Sequence, residues 1–268
     1  MNKPLVATIV GLILAIITGF LVFNKKDKTP TEQVVEEELD LPINTIPQSE
    51  RPFITLSPDE SGRSLDLYVS GAPTEGELEY ELVYQTAEVQ EGVFGRLDLE
   101  TEKQPIVKSL LLGSKSAGGK VTYHEGVSGG TVTVTYGTTR LKESFRYLKF
   151  DPADPTLLST DGRFVVTLPK TALKADTRVL TMKTFGYPKA GLPAETAKLL
   201  AGPYSAAYSV EPKSVTSVEI KLPAGEHTNP AIYGWDGKTW TKLVSKMGTD
   251  SLTTTAPGSS TAYVAVGE

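Results

Sequence analysis

The sequence predicts an all-β fold: two tandem β-sandwich domains behind one N-terminal transmembrane helix. Three observations predict it. Short apolar/polar alternations fill most of the chain after residue 50, and Gly/Pro clusters punctuate them. No sustained 3.6-residue period occurs there. Residues 4–23 form one uncharged apolar run, PLVATIVGLILAIITGFLVF. As a helix it would span about 30 Å, the thickness of a bilayer core.

The run exceeds the usual apolar stretch of a cleaved leader, and no small-x-small site follows it, so residues 1–23 are expected to be an uncleaved anchor. Its exit carries Lys25, Lys26 and Lys28, which by the positive-inside rule would hold the rest of the chain in the cytoplasm. The acidic segment beyond and the character of the domains favour the extracytoplasmic side, and a single-pass membrane protein displayed outside the cell is the expectation. Ala7, Gly11, Ala15 and Gly19 share one i, i+4 ridge, a spacing that lets two membrane helices approach closely. Self-association is the functional reading of that ridge. The common use of Gly and Ala in membrane helices explains it slightly better.

Residues 24–50 carry three Lys against seven acids and three Pro, and are expected to be an extended linker. Residues 51–150 then form the first sandwich domain. Leu65, Leu67 and Val69 alternate with Ser64, Asp66 and Tyr68. Leu78, Tyr80, Leu82 and Tyr84 alternate with Glu77, Glu79 and Glu81, and Val132 and Val134 with Thr131, Thr133 and Thr135. Each pattern marks a strand with one buried face. Leu110–Leu112 is continuous apolar and is expected to be covered on both faces.

Asp151-Pro-Ala-Asp-Pro155 opens an expected interdomain linker over 151–161. The second sandwich domain, 162–268, offers candidate strands at 164–168, 179–184, 204–210, 218–222, 232–235, 240–243 and 262–266, with a short helix at 193–200. Asp236-Gly237 is the strongest hairpin signal in the chain. As a two-residue turn it would pair Trp235 with Lys238 and Tyr233 with Trp240.

Within that domain, Gly162-Arg-Phe-Val-Val-Thr-Leu-Pro-Lys-Thr-Ala-Leu-Lys-Ala-Asp-Thr177 resembles the opening of a β-sandwich type shared by ankyrins and netrin receptors, with relatives in bacterial surface proteins. Tyr208-Ser-Val-Glu-Pro212, Val218-Glu-Ile-Lys-Leu-Pro223, Ile232-Tyr-Gly-Trp-Asp-Gly-Lys-Thr-Trp240 and Thr261-Ala-Tyr-Val-Ala-Val266 follow in that family's order. The resemblance covers residues 159–268 and implies a domain that mediates contacts. The first domain is immunoglobulin-like in pattern only.

Composition narrows the function classes. The segment after residue 50 holds 23 basic and 25 acidic residues, so a dedicated nucleic-acid surface is not expected. With no Cys, thiol catalysis, disulfides and thiolate metal sites are excluded. His124 and His227 are the only histidines; both read as surface-turn residues, and neither lies near a Gly-x-Ser-x-Gly elbow. No phosphate-binding loop or dinucleotide fingerprint occurs. No enzyme activity, cofactor or metal is therefore expected. The acids of residues 75–81 read as a solvent face rather than a glycosidase pair.

The best binding candidates are Tyr233, Trp235 and Trp240, which alternation places on one face of the hairpin with Lys238 and Lys242 beside them. Exposed, they would stack on sugar rings or anchor a protein. Burial is the better expectation, because the opposite face carries Gly234, Thr239 and Thr241. The leading function is non-catalytic: a tethered surface protein that binds a protein or a cell-wall glycan. An assembly component of an envelope complex is the alternative, and a carboxylate-dependent hydrolase of envelope polymers comes third.

Overall fold

The structure is a computed structural model. It describes residues 41–188, 191–194, 197–255 and 260–268. The expected anchor and its ridge of Ala7, Gly11, Ala15 and Gly19 lie outside the described residues. Among the described residues no helix is long and apolar enough to cross a membrane. Leu41–Glu268 forms one compact unit.

The unit is all-β. Its strands are β1 (Phe53–Pro58), β2 (Ser64–Ser70), β3 (Glu77–Gln85), β4 (Gln90–Asp98), β5 (Ile106–Leu111), β6 (Gly113–Lys115), β7 (Val121–Tyr123), β8 (Gly129–Tyr136), β9 (Thr139–Lys149) and β10 (Thr156–Leu158). They continue as β11 (Phe164–Thr167), β12 (Arg178–Lys183), β13 (Lys198–Tyr208), β14 (Ser217–Lys221), β15 (Ala231–Trp235), β16 (Trp240–Lys242), β17 (Ser245–Met247), β18 (Ser251–Thr254) and β19 (Ala262–Gly267).

One nine-stranded sheet, ordered β16-β15-β19-β13-β12-β9-β8-β3-β4, runs through the unit. A three-stranded sheet, β1-β2-β5, and a five-stranded sheet, β10-β11-β14-β18-β17, pack on it, and β6-β7 form a separate ribbon. The expected boundary at 151–161 does not interrupt the large sheet, because β9 pairs directly with β12 from Lys149↔Arg178 to Phe145↔Met182. Pro155 instead precedes β10, which joins the five-stranded sheet.

The two small sheets cover opposite faces of the large one, and β12 shows this residue by residue. Leu180 and Met182 belong to a core built with Ile54, Leu56, Leu65, Leu67, Leu82 and Phe145. Val179 belongs to a second core with Phe164, Val166, Ile220, Tyr204 and Tyr263. Hydrogen bonds agree with that division. The Leu56 amide donates to Met182 Sδ at 3.3 Å, and the Thr181 hydroxyl donates to the Leu158 carbonyl at 3.0 Å. Successive strand residues point to opposite faces, so a strand clad on both sides must be apolar at consecutive positions. Val179, Leu180, Thr181 and Met182 are all buried.

Several sequence expectations change. The C-terminal part of the expected linker is docked: Asn44 Nδ2 donates to the Lys142 carbonyl at 2.9 Å, and Arg51 Nη2 donates to the Asn44 carbonyl at 2.9 Å. The helix expected at 193–200 gives way to β13, whose Lys198 and Leu199 pair with Gly267 and Val266. Ladder bonds to β19 win over a short helix with little of its own to bury. β13 then shifts register between Ala201 and Tyr204, where Pro203 cannot donate to a ladder. Leu111 is half-buried between buried Leu110 and Leu112, so that run is only partly clad on its second face.

Candidate functional site

The β15–β16 hairpin differs in register from the two-residue turn expected at Asp236-Gly237. Trp235 pairs with Trp240, and Tyr233 with Lys242. Asp236 sets this wider loop. Its Oδ1 accepts the amides of Lys238 and Thr239, both at 2.8 Å, and Gly237 takes φ +97°. The Thr239 and Lys238 amides also hold the Asp236 carboxyl below its usual range. The shift of register preserves the face: Tyr233, Trp235 and Trp240 remain on one side of the hairpin.

Trp235 is buried, whereas Tyr233 and Trp240 are half-buried. The indoles of Trp235 and Trp240 lie 5.3 Å apart at 56°. Trp240 Nε1 donates to the Gly191 carbonyl at 2.9 Å, which fixes the ring as a support behind Trp235. In front, Trp235 shares a cluster with Phe53. Phe53 in turn meets Tyr68 edge-to-face at 6.0 Å and 73°.

Phe53, Tyr68 and Trp235 line a cleft of about 670 Å³, within the range of small-ligand sites. Ser70, Thr74, Pro105, Pro188 and Lys238 complete the parts of its wall that matter chemically. Gln104, also in the wall, is committed to the scaffold. Its Nε2 donates to the Ala72 and Pro73 carbonyls at 2.8 and 3.2 Å, and its Oε1 accepts the Ala72 amide at 2.9 Å. This stitches the loop after β2 to the segment before β5. The hydroxyls of Ser70, Thr74 and Tyr68 and the ammonium of Lys238 remain as the polar groups of the cleft. Lys238 is the only charged residue among the described residues that line it. Apolar ring faces, hydroxyls and one cation suit a ligand with flat apolar faces and hydrogen-bond acceptors.

Of the three expected residues, then, Trp235 lines the cleft, Trp240 buttresses it, and Tyr233 does not line it. Phe53, Tyr68 and Gln104 were missed. Tyr68 carried one local signal, as an aromatic on the polar side of the strand that buries Leu65, Leu67 and Val69.

Glu77 and Glu79 both pair with Arg96, at 3.5 and 3.0 Å, on the open face of β3. His227 bonds the Pro223 carbonyl in an exposed turn. His124, expected in a surface turn, is instead largely covered, with Nδ1 2.9 Å from the hydroxyl of buried Tyr84 and Nε2 4.0 Å from Glu91. Burial, followed by the Glu91 charge, raises the Tyr84 hydroxyl above its usual range. Burial also pushes the Glu143 carboxyl up to about 7, against the opposing charges of Lys183 and Arg51. No group of three or more potential metal-ligating side chains occurs among the described residues. No family model, curated protein or solved structure matches this chain.

Proposed function

We propose that this chain is a non-catalytic binding protein, held at the membrane by residues 4–23 and displayed outside the cell. In this reading its two halves are immunoglobulin-like sandwiches, the second of the type shared by ankyrins and netrin receptors. The cleft of Phe53, Tyr68 and Trp235 receives a cell-wall glycan. One observation carries the proposal: three aromatic side chains from two separate sheets converge on one concave site whose remaining polar groups are hydroxyls and a lysine. Tyr68, the half-buried ring of the three, stacks against the C–H face of a sugar, the buried Phe53 and Trp235 back it, and the hydroxyls and Lys238 bond the acceptors at the rim.

Both tryptophans of the chain lie at this site, so intrinsic fluorescence reports on it directly. Titration with soluble cell-wall glycan fragments is expected to shift the emission, and Tyr68→Ala to weaken binding by about tenfold or more. Emission that stays flat with every glycan but responds to a peptide ligand would replace the glycan with a protein partner.

A further inference from the structure

We propose that two copies of this chain pair edge to edge through β4, in an antiparallel β4–β4 ladder about a two-fold axis at Gly95. The interface is separate from the cleft and does not depend on it.

β4 ends the nine-stranded sheet, and its outer edge has no strand partner among the described residues. The phase of that edge follows from its flanks. The Thr86 amide bonds the Val89 carbonyl, and the Leu99 amide bonds the Gly76 carbonyl. In an antiparallel ladder every second residue bonds inward, so 89, 91, 93, 95, 97 and 99 face β3. The amides and carbonyls of Gln90, Gly92, Phe94 and Arg96 therefore point out, while the Asp98 carbonyl on the same side already accepts the Glu102 amide at 2.9 Å.

Open edges are ordinarily blunted by Lys, by Pro or by shortness. The other edges here follow that rule. β16 and β17 have three residues each and carry Lys242 and Lys246; β10 has three and follows Pro155; β5 carries Lys108; β1 ends in Pro58. β4 has nine residues, no Lys and no Pro, and Phe94 at its centre is 82% exposed.

The strand is also complementary to itself. Pairing about Gly95 sets Phe94 opposite Arg96 of the second copy, twice, and sets Val93 opposite Leu97 on the other face. Phe94 and Arg96 both belong to the outward-bonding set, so the register satisfies the ladder. Arg96 is pre-positioned by Glu77 and Glu79, and a guanidinium over an exposed ring is a favourable contact. Gly95 suits the axis. It has no side chain of its own to place against its symmetry mate, and the Tyr80 hydroxyl occupies the space where its Cβ would be.

The test uses the full chain in detergent micelles, with light scattering for mass and, because the chain has no Cys, single introduced Cys for register. The wild type is expected to be dimeric, and Phe94→Lys to raise the dissociation constant by about tenfold or more with the circular dichroism spectrum unchanged. Oxidising a mixture of Phe94→Cys and Arg96→Cys chains is expected to cross-link unlike chains in preference to like ones, since such a pair lies about 5.5 Å apart, within disulfide reach. A monomeric wild type would overturn the proposal. So would a dimer that survives Phe94→Lys but is lost on Gly11→Leu, or cross-linking of Phe94→Cys chains to one another alone.

Discussion

The two halves of the nine-stranded sheet are built to different rules. In the half made of β4, β3, β8 and β9, one face packs on the three-stranded sheet and the other carries Glu77, Glu79 and Glu81 into solvent. In the half made of β13, β19 and β15 both faces are covered, and all six residues of β19 are buried. The sequence patterns differ accordingly: strict alternation in β3, an unbroken apolar run in Ala262-Tyr-Val-Ala-Val266. What differs is the number of layers laid on the strand, since a strand covered once needs every second residue apolar and a strand covered twice needs them all.

Neighbouring substitutions test this most sharply. Tyr263→Ala and Val264→Asp alter adjacent residues on opposite faces of β19, and both should be severe. We expect about 4 kcal/mol for the tyrosine, from the cavity it leaves, and failure to fold for the aspartate, a buried charge without a partner. On β3 the same exercise should split. Leu82→Ala should cost about 3 kcal/mol and Glu81→Ala less than about 0.5 kcal/mol. Urea unfolding of the four variants measures all of this. A mild Val264→Asp would show that the second face of β19 is not enclosed.

A smaller effect comes from Glu143 on β9. Burial raises its carboxyl to about 7 in the folded chain, above the ordinary value of 4.5. The folded state therefore holds a proton that the unfolded state releases, and the stability this contributes is lost as pH rises through about 7. Glu143→Gln has no such loss. Its stability relative to wild type should rise between pH 5 and pH 8 by roughly 2 kcal/mol. Equal pH profiles for the two proteins would show that the carboxyl stays ionised. The smallest expected change is Trp240→Phe, which removes the bond to the Gly191 carbonyl and should cost about 1 kcal/mol in urea unfolding.

The sequence read the once-covered strands well, because β2, β3 and β8 display their period locally. It read β19 as a strand but not as a doubly covered one, since a short apolar run does not state how many layers enclose it. β4 escaped notice: Gly92 and Gly95 break its pattern, and on its inner face only Leu97 is fully buried. The joining of the halves through β9 and β12 was also hidden. Pairing between distant strands is set by tertiary packing, whereas the Asp/Pro cluster at 151–155 is a strong local signal for a break. The cleft was half legible. The hairpin aromatics announce themselves through Asp236-Gly237, whereas Phe53 and Gln104 matter only through contacts with segments far away in the chain.

The place of β19 has a consequence for the order of events during synthesis. It is the last of the nineteen strands among the described residues, yet it lies inside the sheet, between β13 and β15. A ribosome that has made everything up to Thr254 has produced two strands that must wait side by side with a slot between them. Neither can complete its ladder, and Trp235 lacks Ala262, one wall of its cluster. The second half therefore closes only after translation has passed residue 267, by insertion of a strand into a prepared gap. Until then the nascent chain exposes two facing strand edges, which makes that interval the one in which a chaperone has most to protect.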